Sequence, residues 1–201
     1  TSSLPPSSIT RFGDDYMEFL RIPPRYKSAT LASFEAKDEK QERVKDVVSR
    51  YVATFQDRLA EGVGMIFTGS AGTGKTHLGY ALCRALEERG HTVVFTTAPK
   101  VIRNIRSGRR YDAEITEQQL IDFYAGVDLL VVDEIGVGLS GDSDRSILFD
   151  LISERYNKLL PTVVITNLNS SELPDALGPS CVDRLMHGGI SLSFAWDSHR
   201  V

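Results

Sequence analysis

The stretch Gly69-Ser70-Ala71-Gly72-Thr73-Gly74-Lys75-Thr76 constrains this chain more than any other. It matches GxxxxGK[ST] in full, and it stands between a short apolar run and an amphipathic helical pattern, the strand–loop–helix context that the motif requires. The glycines let successive backbone N–H groups turn inward around an anion, and the following helix adds its dipole and its unsatisfied first-turn donors. A Gly-rich turn could fit the pattern by accident, but the flanking strand and helix favour a phosphate loop. Gly69, Ser70, Ala71, Gly72, Thr73, Gly74, Lys75, Thr76 and the adjoining His77 are therefore the expected ATP-binding residues. Lys75 is expected to reach the β- and γ-phosphates, and Thr76 to place its hydroxyl on Mg2+.

Around that loop the chain alternates apolar runs with helical patterns, the sign of βαβ units and a mostly parallel sheet. The runs are Met65 to Thr68, Thr92 to Thr97, Leu129 to Val132, Thr162 to Thr166 and Ser191 to Phe194. Helices are expected over Thr76 to Arg89, Pro99 to Ser107, Glu117 to Tyr124, Asp144 to Leu159 and Cys181 to His187. One further long helix should start near Lys40, with Val44, Val47, Val48, Tyr51, Val52, Phe55 and Leu59 on its apolar face and Gly62 as its stop. The expected fold is an α/β three-layer sandwich with a five-stranded parallel sheet. Residues 1–38, broken by Pro5, Pro6, Pro23 and Pro24, read as an extended N-terminal segment, and residues 39–201 as one ATPase domain.

Leu129-Leu130-Val131-Val132-Asp133-Glu134 is an apolar run ending in two acids. A strand buried on both faces would present them at the carboxyl edge of the sheet, where the phosphate loop also opens. Alone they would read as solvated charges. Beside a full phosphate loop, Asp133 is placed to hold magnesium and Glu134 to polarise the attacking water. Asn167, after the strand Thr162 to Thr166, can offer its amide to that water, or merely cap a turn.

Composition excludes several classes. No run approaches 18 apolar residues and no signal-peptide pattern opens the chain, which reads as cytoplasmic with no membrane contact. Cys83 and Cys181 fall in no CxxC arrangement, so neither zinc nor a disulfide framework is indicated. A net charge of −4 argues against a surface coated for duplex DNA, although a local basic strip can still hold a strand.

GSAGTGKTH, LLVVDEIG, TVVITNLN, CVDRLMHG and the terminal FAWDSHR together resemble the AAA+ helicase loaders of the DnaC family, over about residues 20–201. The resemblance implies an ATPase that binds the replicative hexameric helicase and helps to place it on single-stranded DNA. It implies that Arg184 is an arginine finger reaching a neighbouring subunit's ATP, and that Arg200 is a sensor contacting the γ-phosphate in its own subunit. A finger in turn implies a homo-oligomeric ring or spiral with ATP. Lys100, Arg103 and Arg106 recur every three residues and would line a single-strand-binding helix, with Arg109 and Arg110 following and Tyr111 or Phe123 as candidate stacking rings. The family's N-terminal helicase-gripping region would be represented only by residues 1–38, and the helical lid of larger AAA+ proteins is not expected. An IstB-type transposition helper is similar in its nucleotide motifs, and a nucleotide-gated binding module with negligible turnover is the reading from another class. The ending Trp196-Asp197-Ser198-His199-Arg200 favours the loader.

Overall fold

A computed structural model describes residues 22–138 and 141–199. Five strands form where the apolar runs fall: β1 (Met65–Thr68), β2 (Val93–Thr97), β3 (Leu129–Ile135), β4 (Thr162–Thr166) and β5 (Ile190–Ser193). All pair in parallel, in the order β2-β3-β4-β1-β5. Strand residues alternate between two cores because side chains project to opposite faces with period two. Ile66, Val94, Leu130, Val132 and Val164 enter one core, whereas Met65, Phe67, Val93, Leu129, Val131, Val163 and Ile165 enter the other.

Helices α1 (Glu39–Ala53), α2 (Phe55–Glu61) and α3 (Lys75–Glu87) cover the second face. The first face is covered by α4 (Ala98–Ser107), α5 (Glu117–Tyr124), α6 (Asp142–Asn157), α7 (Leu173–Leu177) and α8 (Pro179–Met186). The α/β three-layer sandwich expected from the sequence is therefore the fold.

Three local features differ from expectation. The long helix ending at Gly62 is broken at Thr54, whose hydroxyl donates to the Arg50 carbonyl at 2.9 Å. Such back-bonding bends a helix, and Phe55 then turns into the core at 1% exposure. Helix α7 was not expected; Leu173 and Leu177 bury its apolar edge, with Pro174 in its first turn and Gly178 as its C-cap. Finally, the segment leading to α1 packs on the domain that was expected to begin at residue 39. Pro24–Tyr26 form a 3-10 turn, Ala29 is buried, and Phe34 joins the core against α1 and α3.

Arg155 is the largest fully buried side chain. Its guanidinium donates to Thr162 Oγ1 at 2.9 Å, to the Tyr124 and Val127 carbonyls at 2.8 and 2.9 Å, and to the Pro161 carbonyl at 2.5 Å. Burial pushes its pKa down to about 9, so the group keeps its charge at neutral pH and ties together the entries to β3 and β4. Cys83 and Cys181 are free and buried, acting as small apolar side chains.

Candidate functional site

Residues Gly69, Gly72 and Gly74 adopt φ of 134°, 84° and 96°, backbone conformations that residues with a Cβ rarely take. The space outside the loop is also closed to larger residues: a Cβ at Gly69 would meet the Phe194 carbonyl oxygen at 2.5 Å, and one at Gly74 would meet the Phe34 ring at 2.8 Å. Gly74 is the N-cap of α3 and offers no side-chain acceptor to that helix's first turn. Lys75 is 5% exposed, and its ammonium donates to the Gly69 and Ser70 carbonyls at 2.5 and 2.7 Å. Thr73 Oγ1 donates to the Ser70 carbonyl at 2.9 Å, bracing the turn.

Thr76 Oγ1 donates to Asp133 Oδ2 at 2.8 Å, joining the start of α3 to the end of β3. Asp133 Oδ1 accepts from the Glu134 N–H at 2.7 Å. Burial raises the Asp133 pKa, and these two hydrogen bonds act against that rise. In a regular strand, adjacent acids would face opposite sides of the sheet. Here the register of β3 on β4 shifts between Val132 and Ile135, and Glu134 takes a left-handed φ of 59°. That conformation costs about 1–2 kcal/mol in a residue with a Cβ. It turns Glu134 so that both acids border one cavity.

The cavity measures about 600 Å3 and is bordered by Gly72, Gly74, Lys75, Thr76, Asp133, Glu134 and Asn167 among others. A second groove of about 770 Å3 lies between residues 37–41 and residues 195–199, with His199 bordering both. Among the described residues, no group of three or more His, Cys, Asp or Glu could hold a metal ion. Two hard oxygens, Thr76 Oγ1 and Asp133 Oδ2, do sit together. That donor set fits Mg2+, which takes one or two protein oxygens and completes its octahedron with water and phosphate.

Other expected residues fall as follows. His77 Nε2 pairs with Ser33 Oγ at 3.0 Å, and burial lowers its pKa, so it braces the leading segment against α3 while bordering the cavity. Lys100 and Arg103 lie off the buried face of α4, made by Ala98, Val101, Ile102 and Ile105. Arg106 is drawn to Asp144 at 2.5 Å, a carboxylate almost wholly enclosed, and Arg109 to Glu117 at 2.6 Å. Phe123 is fully buried and cannot stack on a base, whereas Tyr111 is fully exposed. Arg184 lies on α8, its guanidinium 4.8 Å from the Phe149 ring centre and 5.9 Å from that of Tyr156. It borders a hollow with Gly64 and Thr162, at the amino ends of β1 and β4, on the sheet edge opposite the phosphate loop. Arg200 lies outside the described residues.

Sequence reading missed the residues that hold the loop from behind. Trp196 Nε1 donates to the Thr73 carbonyl at 3.0 Å, and the His199 N–H donates to the Gly72 carbonyl at 2.9 Å. Tyr80, on α3, stacks on Phe95 of β2 at 3.8 Å and on Tyr26 at 4.7 Å, lining one wall of the cavity. The spacing of Tyr80 along α3 carried the only signal, since no local pattern links residue 26 to residue 80.

The family model described as IstB-like ATP binding protein matches residues 11–201. The replicative helicase loader DnaC of Escherichia coli (strain K12) is 31% identical over 180 residues, covering 89% of this chain and 72% of the relative. A protein of the same strain named YdaV, uncharacterized, is 27% identical over 180 residues, covering 89% of this chain and 71% of that protein. A crystal structure of the DnaC helicase loader superposes with a TM-score of 0.76 at 26% identity, covering 85% of this chain and 99% of that one. The replication initiator DnaA, solved with AMPPCP and single-stranded DNA, superposes with a TM-score of 0.72 at 24% identity, covering 87% of this chain and 51% of that one, and shows the shared fold alone. Motifs, fold and relatives agree: this chain is a P-loop protein belonging to the IstB-like ATP binding family and is kin to the replicative helicase loaders named DnaC.

Proposed function

We propose that the chain is a cytoplasmic, ATP-hydrolysing helicase loader that binds a replicative hexameric helicase and helps to place it on single-stranded DNA. The observation that carries the hydrolytic part is the meeting of phosphate loop and acids, with Thr76 bound to Asp133 at 2.8 Å and Glu134 turned onto the same cavity. The kinship with DnaC supports the loader over an IstB-type transposition helper. A pure binding switch would not need Glu134 held in a costly left-handed conformation beside that pair.

In this reading the loop and the first turn of α3 hold the phosphates, with Lys75 exchanging its loop carbonyls for the β- and γ-phosphate oxygens. Mg2+ would be held by Thr76 and Asp133 and would supply charge neutralisation at the phosphates. Glu134 orients and polarises water, and Asn167, at the rim, offers an amide to it. Arg184 sits on the opposite sheet edge from its own phosphate loop, so the phosphate it serves belongs to a neighbouring subunit, and a head-to-tail ring or spiral follows. Arg200, next in sequence to His199, is assigned the γ-phosphate of its own subunit. Lys100 and Arg103 track the DNA backbone without reading sequence, whereas Arg106 mainly neutralises Asp144.

Four outcomes are expected. Lys75→Ala abolishes ATP binding in a calorimetric titration, whereas Glu134→Gln retains binding and loses hydrolysis by about a hundredfold or more; parent-rate turnover in assembled Glu134→Gln would refute the base assignment. Arg184→Ala mixed with Lys75→Ala recovers part of the ATPase rate; absence of recovery at every ratio means that Arg184 does not act across subunits. Arg103→Glu weakens binding of a single-stranded oligonucleotide at low salt by fluorescence anisotropy, and unchanged affinity removes α4 from the DNA path. Tagged protein with ATP retains a replicative helicase and releases a transposase; the opposite retention turns the assignment to the transposition helper.

A further inference from the structure

Taking as given that ATP occupies the cavity as proposed above, its terminal phosphate lies at Asp133, Glu134 and Asn167. The groove bordered by residues 195–199 follows β5 at one end of the sheet, the phosphate loop follows β1, and the acids follow β3 towards the other end. The acids at the terminal phosphate therefore lie on the β2 side of the phosphate loop.

The wall beyond those acids is built by the segment leading to α1. Tyr26 stacks on Tyr80, ring centres 4.7 Å apart with planes at 19°, and Tyr80 stacks on Phe95 of β2 at 3.8 Å and 14°. Thr97, two residues on, pairs in register with Asp133. Arg84, one turn further along α3, donates to the Lys27 carbonyl. The 3-10 turn Pro24–Tyr26 is stiffened by two prolines ahead of Arg25. Pro23, Arg25 and Tyr26 all border the cavity that Asp133, Glu134 and Asn167 also border, and Arg25 is solvent-exposed.

We infer that residues 23–27 are a strap that holds Arg25 against the terminal phosphate of ATP in the same subunit, with Tyr26 as its positioning residue. A planar, permanently charged fork at the terminal-phosphate end favours the nucleotide carrying the extra charge, so the strap discriminates ATP from ADP. The strap is also continuous with the chain ahead of residue 22. Displacing it removes a cation from the site, and a partner holding the N-terminal region would gain a lever on the nucleotide state.

The test is calorimetric titration of the full chain with Mg2+ and either a non-hydrolysable ATP analogue or ADP. Arg25→Ala should weaken the ATP analogue by roughly tenfold or more, as expected for a charge-assisted hydrogen bond to phosphate, and ADP by little. Tyr26→Ala should show the same selective loss although it removes no charge, and Tyr26→Phe, which keeps the stack, should behave as the parent. An unchanged ATP-to-ADP ratio in Arg25→Ala, or in a Tyr26→Ala chain that melts as the parent does, overturns the inference while leaving the site reading intact. Parent-like ATP binding by Lys75→Ala instead removes the site reading, and the strap with it.

Discussion

The hydrogen bond from Thr76 to Asp133 is the constraint on which the site depends. It joins the helix that receives phosphate to the strand that carries the acids, and it does so in a place where a carboxylate is costly. Asp133 is 7% exposed, and burial lifts its pKa above the ordinary carboxylate value. An acid whose pKa is raised on folding binds its proton more tightly in the folded state. Its ionisation therefore penalises the fold as pH rises above the ordinary carboxylate range, until the folded-state carboxyl has also lost its proton. One hydroxyl and one N–H offset part of that cost, and a divalent cation against the same oxygens would offset more. In the proposed magnesium-bound form this buried charge would be satisfied.

The phosphate loop is held from outside as well as by its own glycines. Trp196 and His199 bind the carbonyls of Thr73 and Gly72, leaving the N–H side of the turn to the ligand. Phe194 and Phe34 press where side chains at Gly69 and Gly74 would stand. Those two glycines therefore answer two demands at once, a left-handed backbone and a close neighbour. Because the clamps come from the segment after β5 and the segment before α1, the loop's shape reports on both ends of the domain. A ligand that reorders one end must work against the loop.

Much of this was legible in the sequence where the determining physics is local. Apolar runs gave every strand to within about two residues except β3, which extends three residues further to Ile135; in β1, β3 and β4 burial on both faces leaves a continuous signature. The loop and the acids were legible because their chemistry sits in consecutive residues. The Thr54 break was not, since it arises from one hydroxyl choosing the Arg50 carbonyl and from Phe55 finding the core. Nor was the pairing of Arg106 with Asp144, which joins residues on separate helices and takes Arg106 out of a stripe that spacing alone made uniform. Residues 22–38 read as a lead-in because prolines and polar residues dominate them, yet Ala29, Phe34 and Tyr26 are enough to bind the segment to the domain.

A parallel sheet has unlike edges, and that asymmetry bears on assembly. Phosphate chemistry gathers at the carboxyl edge, where loops and helix N-termini meet. Arg184 occupies the amino edge, resting on the rings of Phe149 and Tyr156 and donating to the Ser180 carbonyl at 2.9 Å. Such packing removes part of a long side chain's rotamer freedom before any partner arrives, so less entropy would be lost in the proposed contact with a neighbouring subunit's phosphate. A cation on one edge and an anion site on the other cannot satisfy each other across a two-fold axis without both copies turning. In the proposed assembly they match head to tail, and such a contact closes only as a ring or continues as a helix.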